Sequence, residues 1–571
     1  MARIIARKRG TDTYYYYRES ERVKLSPSDG GGKGPGSGPS RVVTHDTYLG
    51  TAQSILQAVR EGRPLRVAVR QFGLVMAAYT VAEELGIRDA VDAVAPRHQG
   101  GLGVGTYVAL MVVAKVCAPR VNWRSFGAWF RKTSLARHLN LPPSLLDAQN
   151  FWDAFDRLLP ESTFRDLSAK DPEAIWQDDT VLSIEEAVWR RLLERHPVDL
   201  STVLIDATNF FTYLAKENPA RLPKPGHNKA GRHDKRQVSL SLAATSPRAM
   251  PLVHITYAGN VADVRVFPHV LRRLVERVRR LDSNAAELTI VFDRGHNSKA
   301  NLAEAAEAGV SVVGALVPAH HPDLLRLPVR SSPERVGDLR VLTVKKVVYG
   351  QPSMVVLTYS EKLERKQRLA FDAALHKLRA DLRSTWKAHR DAGDEDFARA
   401  MDAVRRKSRV GRYITWSVDG EKVVHIRQNR FLVEERRRQL GCRLLFTTRT
   451  DLQAEEVIRL YNHDKAELEE DFREMKSPDL VRFSPIRHFT DTKIRLYALV
   501  CVLALLVLKV MAIRVQELGL SLDAMVQELS DIQEAILVYG PNRAVHTLTD
   551  RSTIQERLLD IFDLRRFLPN P

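Results

Sequence analysis

The sequence predicts a mixed α/β protein in which an α-helical N-terminal region precedes a β-rich core. Three observations carry this reading. Apolar residues recur at helical spacing from about Thr51 to Asp171, as in SILQAVREG, GLVMAAYTVAEELGI and GTYVALMVVAKVCA. From Leu200 the period changes to short β-rich runs, STVLIDATNF, RQVSLSLAAT and MPLVHITYAG. Beyond them the strands ELTIVFDRG and VSVVGALVP alternate with the helical stretches VFPHVLRRLVERVRRL and KANLAEAAEAG.

Taken in order, residues 1–50 hold a strand in TYYYYRES and a flexible Gly/Pro/Ser linker from Ser26 to Ser40. Residues 51–199 form the α-helical domain, a candidate DNA-binding domain. Its NWRSFGAWFRKTSLARHLNL stretch is basic and aromatic, but Trp123, Phe126, Trp129 and Phe130 read better as core anchors than as DNA contacts, since large aromatics are usually buried. Residues 200–317 run in the order βββαβαβ, that of a ribonuclease-H-like core, a mixed sheet with helices packed on its faces. Residues 318–441 lose that regularity and read as an inserted domain, with strands in LRVLTVKKVVYG and SMVVLTYS, a long charged helix and strands in RYITWSVDGEKVVHI. Residues 442–515 return to the core with the strand CRLLFTT, a helix from about Ala454 to Lys476 and an apolar helix from about Thr492. Residues 516–571 read as a C-terminal helical region.

A composition of 44% hydrophobic and 27% charged residues excludes global disorder. The formal charge of +18 favours a polyanionic partner such as nucleic acid. Cys117, Cys442 and Cys501 stand far apart without C-x-x-C spacing, which suggests neither a disulfide framework nor a structural zinc site and fits a reducing cytoplasm. MARIIARKRG lacks the apolar stretch of a signal peptide. The apolar run Leu496 to Leu508 is short against the ~20 residues of a membrane span, and Arg495 and Lys509 bound it closely, so it reads as a buried core helix with no membrane partner. GGLGVG near Gly100 follows no strand and is not a nucleotide-binding loop.

The acids carry the chemistry. Asp206 ends the apolar run VLID and Asp293 ends TIVFD. An acid terminating a buried strand is costly unless it is paired or binds a cation, and two such acids on neighbouring strands make a divalent-metal site. Either one alone would more often cap a turn or helix. In YNHDKAELEEDFREMKS, helical spacing puts Leu468, Phe472 and Met475 on one face and Lys465, Glu469, Arg473 and Lys476 on an adjacent one. Asp263 reads as a turn or capping residue, and Glu467, Glu470, Asp471 and Glu474 compete with Glu469 on the same helix. The stretch Arg221 to Arg236 has six cations against Asp234 and could track a DNA backbone through Lys229, Arg232 and Arg236, or be a solvated loop. His227 and His233 have no third soft ligand for zinc.

With these motifs the sequence resembles the DDE transposases of bacterial and archaeal insertion sequences, whose catalytic helix carries Tyr-x2-Arg-x3-Glu-x6-Lys. The resemblance runs from about Val203 to Ala512, in LIDATNFF, the basic G-x-x-K-x-x-R-x-D-K-R-Q stretch, AGNVADV, VFDRGHNS and ELEEDFREMKS. Glu469 and Lys476 stand at the family spacing, Lys465 stands where the family has Arg, and Asn462 where it has Tyr, with Tyr461 one residue early. The resemblance implies a ribonuclease-H-like core holding two Mg2+ or Mn2+ ions through Asp206, Asp293 and Glu469. It implies hydrolytic nicking at transposon ends and attack of the freed 3′-hydroxyl on target DNA. Tyr461, Lys465, Arg473 and Lys476 would contact phosphates. The partners it implies are double-stranded DNA, as terminal inverted repeats and target, and a second copy of the chain on that DNA, in a prokaryotic cytoplasm at the nucleoid. A nuclease of the same fold that hydrolyses without joining, and an inactive DNA-binding descendant, remain alternatives.

Overall fold

The computed structural model describes residues 2–24, 40–96, 101–160, 179–215, 217–226, 234–282, 287–389, 393–419, 423–540 and 543–568. The Ser26 to Ser40 linker, apart from Ser40, lies outside the described residues, as do His227, Lys229, Arg232 and His233. The fold is mixed α/β. The chain divides into two compact units, one of Met1–Leu200, Asp206–Ala285 and Glu467–Pro571, the other of Ser201–Ile205 and Ala286–Ala466. Two of the four divisions fall inside continuous elements, the strand Thr202–Thr212 and the helix Lys465–Lys476.

In the first unit, Ala2–Arg9, Asp12–Lys24 and Ser40–Thr51 form a three-stranded antiparallel sheet. Gly10, at φ +61°, allows the tight turn that pairs Arg9 with Asp12. The helical pattern that follows forms the helices Gly73–Glu84, Ile87–Val94, Val104–Cys117, Trp123–Phe130 and Ala148–Leu158, as the periodicity to Asp171 predicts, and a further helix, Asp179–Arg195, lies beyond it. Asn122 caps the fourth of these in a reciprocal box with Ser125, and Trp123, Phe126, Trp129 and Phe130 are all buried, which is the core-anchor reading. One strand in this region, Arg66–Gln71, pairs antiparallel with Gln533–Gly540, which in turn pairs with Arg543–Leu548. The C-terminal region is therefore helix, hairpin and helix, not helical throughout: the run AILVY favours extended backbone, and along the strand Glu534 and Ile536 are buried between partly exposed neighbours.

The helix Asp491–Arg514 is capped by Thr490 and packs within this unit against Val104–Cys117, Gly73–Glu84 and the strand Pro251–Ala258. It is long and apolar enough by composition to cross a membrane, yet 83% of its most apolar window is buried inside the protein. A helix that is hydrophobic all round needs such cover on every side.

The core runs through strands Thr202–Thr212, Arg236–Thr245 and Pro251–Ala258, helix Asp263–Leu281, strand Leu288–Phe292, helix Lys299–Glu307 and strand Val310–Ala315, the βββαβαβ order read from the sequence. In the first unit Arg236–Thr245 and Pro251–Ala258 form an antiparallel hairpin. In the second, Leu288–Phe292 lies parallel both to Val310–Ala315 and to the start of Thr202–Thr212. These directions complete the ribonuclease-H-like pattern.

Also in the second unit, Cys442–Thr447 pairs antiparallel with Val310–Ala315 on one side and Gln351–Tyr359 on the other, and Leu339–Val348 follows. The first strands of the expected insertion thus extend the core sheet. The part with its own core runs from Glu361 to Gln439, where Phe371, Leu375, Leu382, Met401, Tyr413 and Val433 cluster.

Candidate active site

Asp206 stands inside its strand, not at the end. The run ATNFFT is β-branched and aromatic with nothing to stop it, so the strand continues to Thr212. Its neighbours Val203, Leu204 and Ile205 are fully buried, and Asp206 itself is 7% exposed. Its Oδ1 accepts the Ala207 N–H at 2.8 Å, and its carbonyl oxygen accepts from the Ser241 hydroxyl at 3.5 Å.

Asp293 follows the buried strand Leu288–Phe292 directly, as the sequence predicts, and its Oδ1 caps a short 3-10 turn by accepting Arg294 N–H at 2.7 Å. The capping reading is correct as far as it goes, but two other groups converge on this carboxylate. The Tyr461 hydroxyl donates to the same oxygen at 3.0 Å, and the buried Lys465 ammonium faces it. Burial pushes the Asp293 carboxyl up, but Lys465, the Arg294 N–H and the Tyr461 hydroxyl outweigh it and hold it below the usual carboxylate range. This carboxylate is kept ionised.

Tyr461 reaches that position through an irregular backbone. The helix Ala454–Arg459 passes into a π turn over Leu460–Asp464 before the helix Lys465–Lys476 begins. A π turn bonds i to i+5 and advances less angle per residue than an α turn, so it takes in one residue more. That extra residue is the one by which Tyr461 precedes the family spacing. The turn is braced by Arg459 on buried Asp464 at 2.6 Å and by Arg443 on Asn462 at 3.0 Å.

On the Lys465–Lys476 helix, Leu468, Phe472 and Met475 are buried and Glu469, Arg473 and Lys476 are exposed, whereas Lys465, read from spacing on the same face as these three, is buried. The competing acids have other partners. Glu467 accepts Arg248 N–H at 2.7 Å, Glu470 pairs with Arg473 at 2.5 Å, and buried Asp471 contacts the Lys509 ammonium of the apolar helix. Glu474 is buried beside the same ammonium, and Asp263 accepts the Tyr257 hydroxyl at 2.7 Å in the first turn of its helix. Lys476 donates to the Thr208 hydroxyl at 2.5 Å and lies over the Phe210 ring at 5.4 Å, so its ammonium stays close to the Asp206 strand. Nothing in the sequence marks Thr208 as its partner.

Arg236 bonds four backbone carbonyls, those of Ala215, Asn218, Ala220 and Pro223, at 2.7–3.1 Å. Its guanidinium orders the preceding loop. The donors offered by Asp206, Asp293 and Glu469 are carboxylate oxygens alone, the hard set that suits Mg2+ or Mn2+. Among the described residues, no group of three or more His, Cys, Asp or Glu side chains already forms a metal-holding cluster.

The family model described as the transposase DDE domain matches residues 198–507, more than half of the chain. No curated protein sequence matches. Among solved structures, one of the piggyBac transposase synaptic complex with hairpin DNA is similar at 11% identity, covering 88% of each chain, with a TM-score of 0.37.

Proposed function

The chain belongs to the transposase DDE-domain family, and from that premise we propose that it cuts DNA at transposon ends and joins the freed 3′-hydroxyls to target DNA, with Asp206, Asp293 and Glu469 holding two Mg2+ or Mn2+ ions. The observation that carries the reading is a register. Ile205 and Phe292 are direct partners on parallel strands, and each is followed at once by an acid, Asp206 and Asp293. Glu469 lies one helical turn beyond Lys465, whose ammonium faces Asp293.

Bound divalent ions would activate the attacking oxygen and stabilise the leaving one in an in-line displacement at phosphorus. The chain's own residues have distinct tasks. Lys465 holds Asp293 ionised, and Tyr461 fixes the orientation of its carboxylate. Arg473 and Lys476, both exposed, receive phosphates near the scissile bond. Lys229 and Arg232 would contribute charge for the DNA backbone, whereas Arg236 acts through the backbone carbonyls it holds. Double-stranded DNA as inverted repeat and target, and a dimer of the chain upon it, complete the reading.

The test is cleavage and strand transfer on DNA carrying the flanking inverted repeats, in Mg2+ or Mn2+, with Asp206→Ala, Asp293→Ala and Glu469→Ala beside the parent. Joined products that each substitution abolishes are the expected result. Cleavage without joining would make the protein a nuclease, and binding without cleavage an inactive descendant. Survival of activity in one variant removes that residue from the ligand set.

A further inference from the structure

Beyond Ala207 the strand Thr202–Thr212 alternates, with Thr208, Phe210 and Thr212 buried and Asn209 and Phe211 half-buried. Side chains two residues apart on a strand share a side, so Asp206, Thr208 and Phe210 stand in one row, about 6–7 Å from each to the next. Lys476 is aimed at this row. Its ammonium donates to the Thr208 hydroxyl at 2.5 Å and lies over the Phe210 ring at 5.4 Å. The ammonium thus sits one step along the row from Asp206, and all of these residues belong to the first unit.

The backbone beneath Lys476 is fixed on this strand by other means. Phe483, fully buried, donates its N–H to the Met475 carbonyl at 2.7 Å and sets its ring against that of Phe210, with centroids 4.2 Å apart. A seated helix end does not by itself place the ammonium, because lysine carries it on a flexible four-carbon stem. Thr208 does. It is buried and β-branched, so its χ1 is stiff and its hydroxyl is a fixed post for the charge. Lys476 itself is exposed, so an anion can approach that charge from solvent.

We propose that Thr208 is a positioning residue for DNA cutting: by holding the Lys476 ammonium one step from Asp206, it fixes which phosphate lies at that carboxylate, and so which bond is broken. The proposal rests on the transposase reading above. Successive phosphates of a DNA strand lie about as far apart as these two side chains, so an ammonium bonded to one phosphate leaves its neighbour at Asp206. An ammonium that swings would accept either of two phosphates, and the bond presented for cutting would shift by a nucleotide. The charge of Lys476 contributes affinity, and its fixed place contributes register.

The test uses the full-length chain and end-labelled duplex DNA carrying the flanking inverted repeat, with single-turnover cuts in Mg2+ or Mn2+ mapped to the nucleotide. Thr208→Val keeps the branched shape without the hydroxyl. It should cut about tenfold more slowly, the effect of one hydrogen bond to a charged group, and at neighbouring bonds as well, with DNA affinity within about threefold of the parent. Thr208→Ser, which restores the hydroxyl, should recover the single cut site and most of the rate. Thr208→Val/Lys476→Met should match Lys476→Met alone, as a residue acting only through Lys476 must. Without DNA, acetic anhydride should modify Lys476 several times faster in Thr208→Val than in the parent, read by peptide mass. A sharp parental cut in Thr208→Val, a Thr208→Ser variant equally impaired, additive losses in the double variant or unchanged labelling overturns the proposal. A parent that binds the repeat and never cuts counts against the transposase reading itself, whereas any of those four results with a parent that cuts counts against Thr208 alone.

Discussion

Replacing Asp471 with leucine should loosen the helix that carries Glu469. Asp471 is fully buried, and its carboxylate contacts the ammonium of Lys509 on the apolar helix, with Glu474 buried nearby. Burial drives the Asp471 carboxyl up; the Lys509 ammonium opposes that, and burial of Lys509 is in turn outweighed by Asp471 and Glu474, which raise it. Removing one partner of a buried pair typically costs ~3–5 kcal/mol, because the other charge is stranded. The Lys509 side chain retains 16% exposure and keeps Glu474 as a neighbour, which places the cost near the low end, about 3 kcal/mol. Amide exchange reads this helix locally, whether or not the chain's two units unfold together. Amide hydrogen exchange across Lys465–Lys476 should quicken by about a hundredfold, at 1.4 kcal/mol per factor of ten. The double variant Asp471→Leu/Lys509→Met, which leaves neither charge, should return to within about threefold of the parent, since an apolar pair of similar volume is often neutral. Unchanged exchange in the single variant, or a double variant as fast as the single, would refute the claim that this ion pair anchors the helix.

Three further expectations follow from the geometry. Tyr461→Phe removes a hydrogen bond to an ionised acceptor, worth ~1.5–3 kcal/mol, so single-turnover cleavage should fall at least about tenfold and Mn2+ binding, read by its paramagnetic resonance, should weaken; rates and affinity equal to the parent's would contradict an orienting role. Burial pushes His488 down to about 3 from 6.5, so the unfolded chain binds more protons between those values; stability is complete above about 6.5 and falls by up to ~1.4 kcal/mol per pH unit below it. Thermal melts of His488→Leu should lose that slope, and a slope identical to the parent's would assign it elsewhere. At Gly105 an added Cβ would run into the Arg88 carbonyl and the Asp92 carboxylate that accepts its N–H at 2.7 Å, so Gly105→Ala should cost ~1–3 kcal/mol, visible as a lower melting temperature; an unshifted melt would show that the Ile87–Val94 helix can move aside.

The βββαβαβ order and the helical N-terminal region were legible because hydrophobic period is a local property, and each element there buries a face of its own. The strand end at Asp206 was misplaced because polarity at one residue does not stop a strand whose continuation, ATNFFT, still favours extended backbone. The strands at 339–359 looked like part of an insertion because their partner, Cys442–Thr447, lies more than eighty residues away, and pairing at that distance leaves no trace in local pattern. The hairpin at 533–548 escaped for a similar reason, since its partner Arg66–Gln71 is at the other end of the chain. At the site, the buried face of Leu468, Phe472 and Met475 followed from spacing, whereas the contacts of Glu467 with Arg248 and of Asp471 with Lys509 come from distant segments.

The π turn at Leu460–Asp464 works as an expansion joint. A residue gained or lost upstream of an ordinary helix would rotate every later side chain out of place, and Glu469 with them. Here the surplus is stored in one wide turn, so the residues after Lys465 keep their facing and Tyr461 still meets Asp293. Single-residue length changes are therefore tolerable at this point of the chain and not one turn later. A motif written as fixed spacings will register a mismatch at Asn462 even though the hydroxyl it looks for is already on the carboxylate.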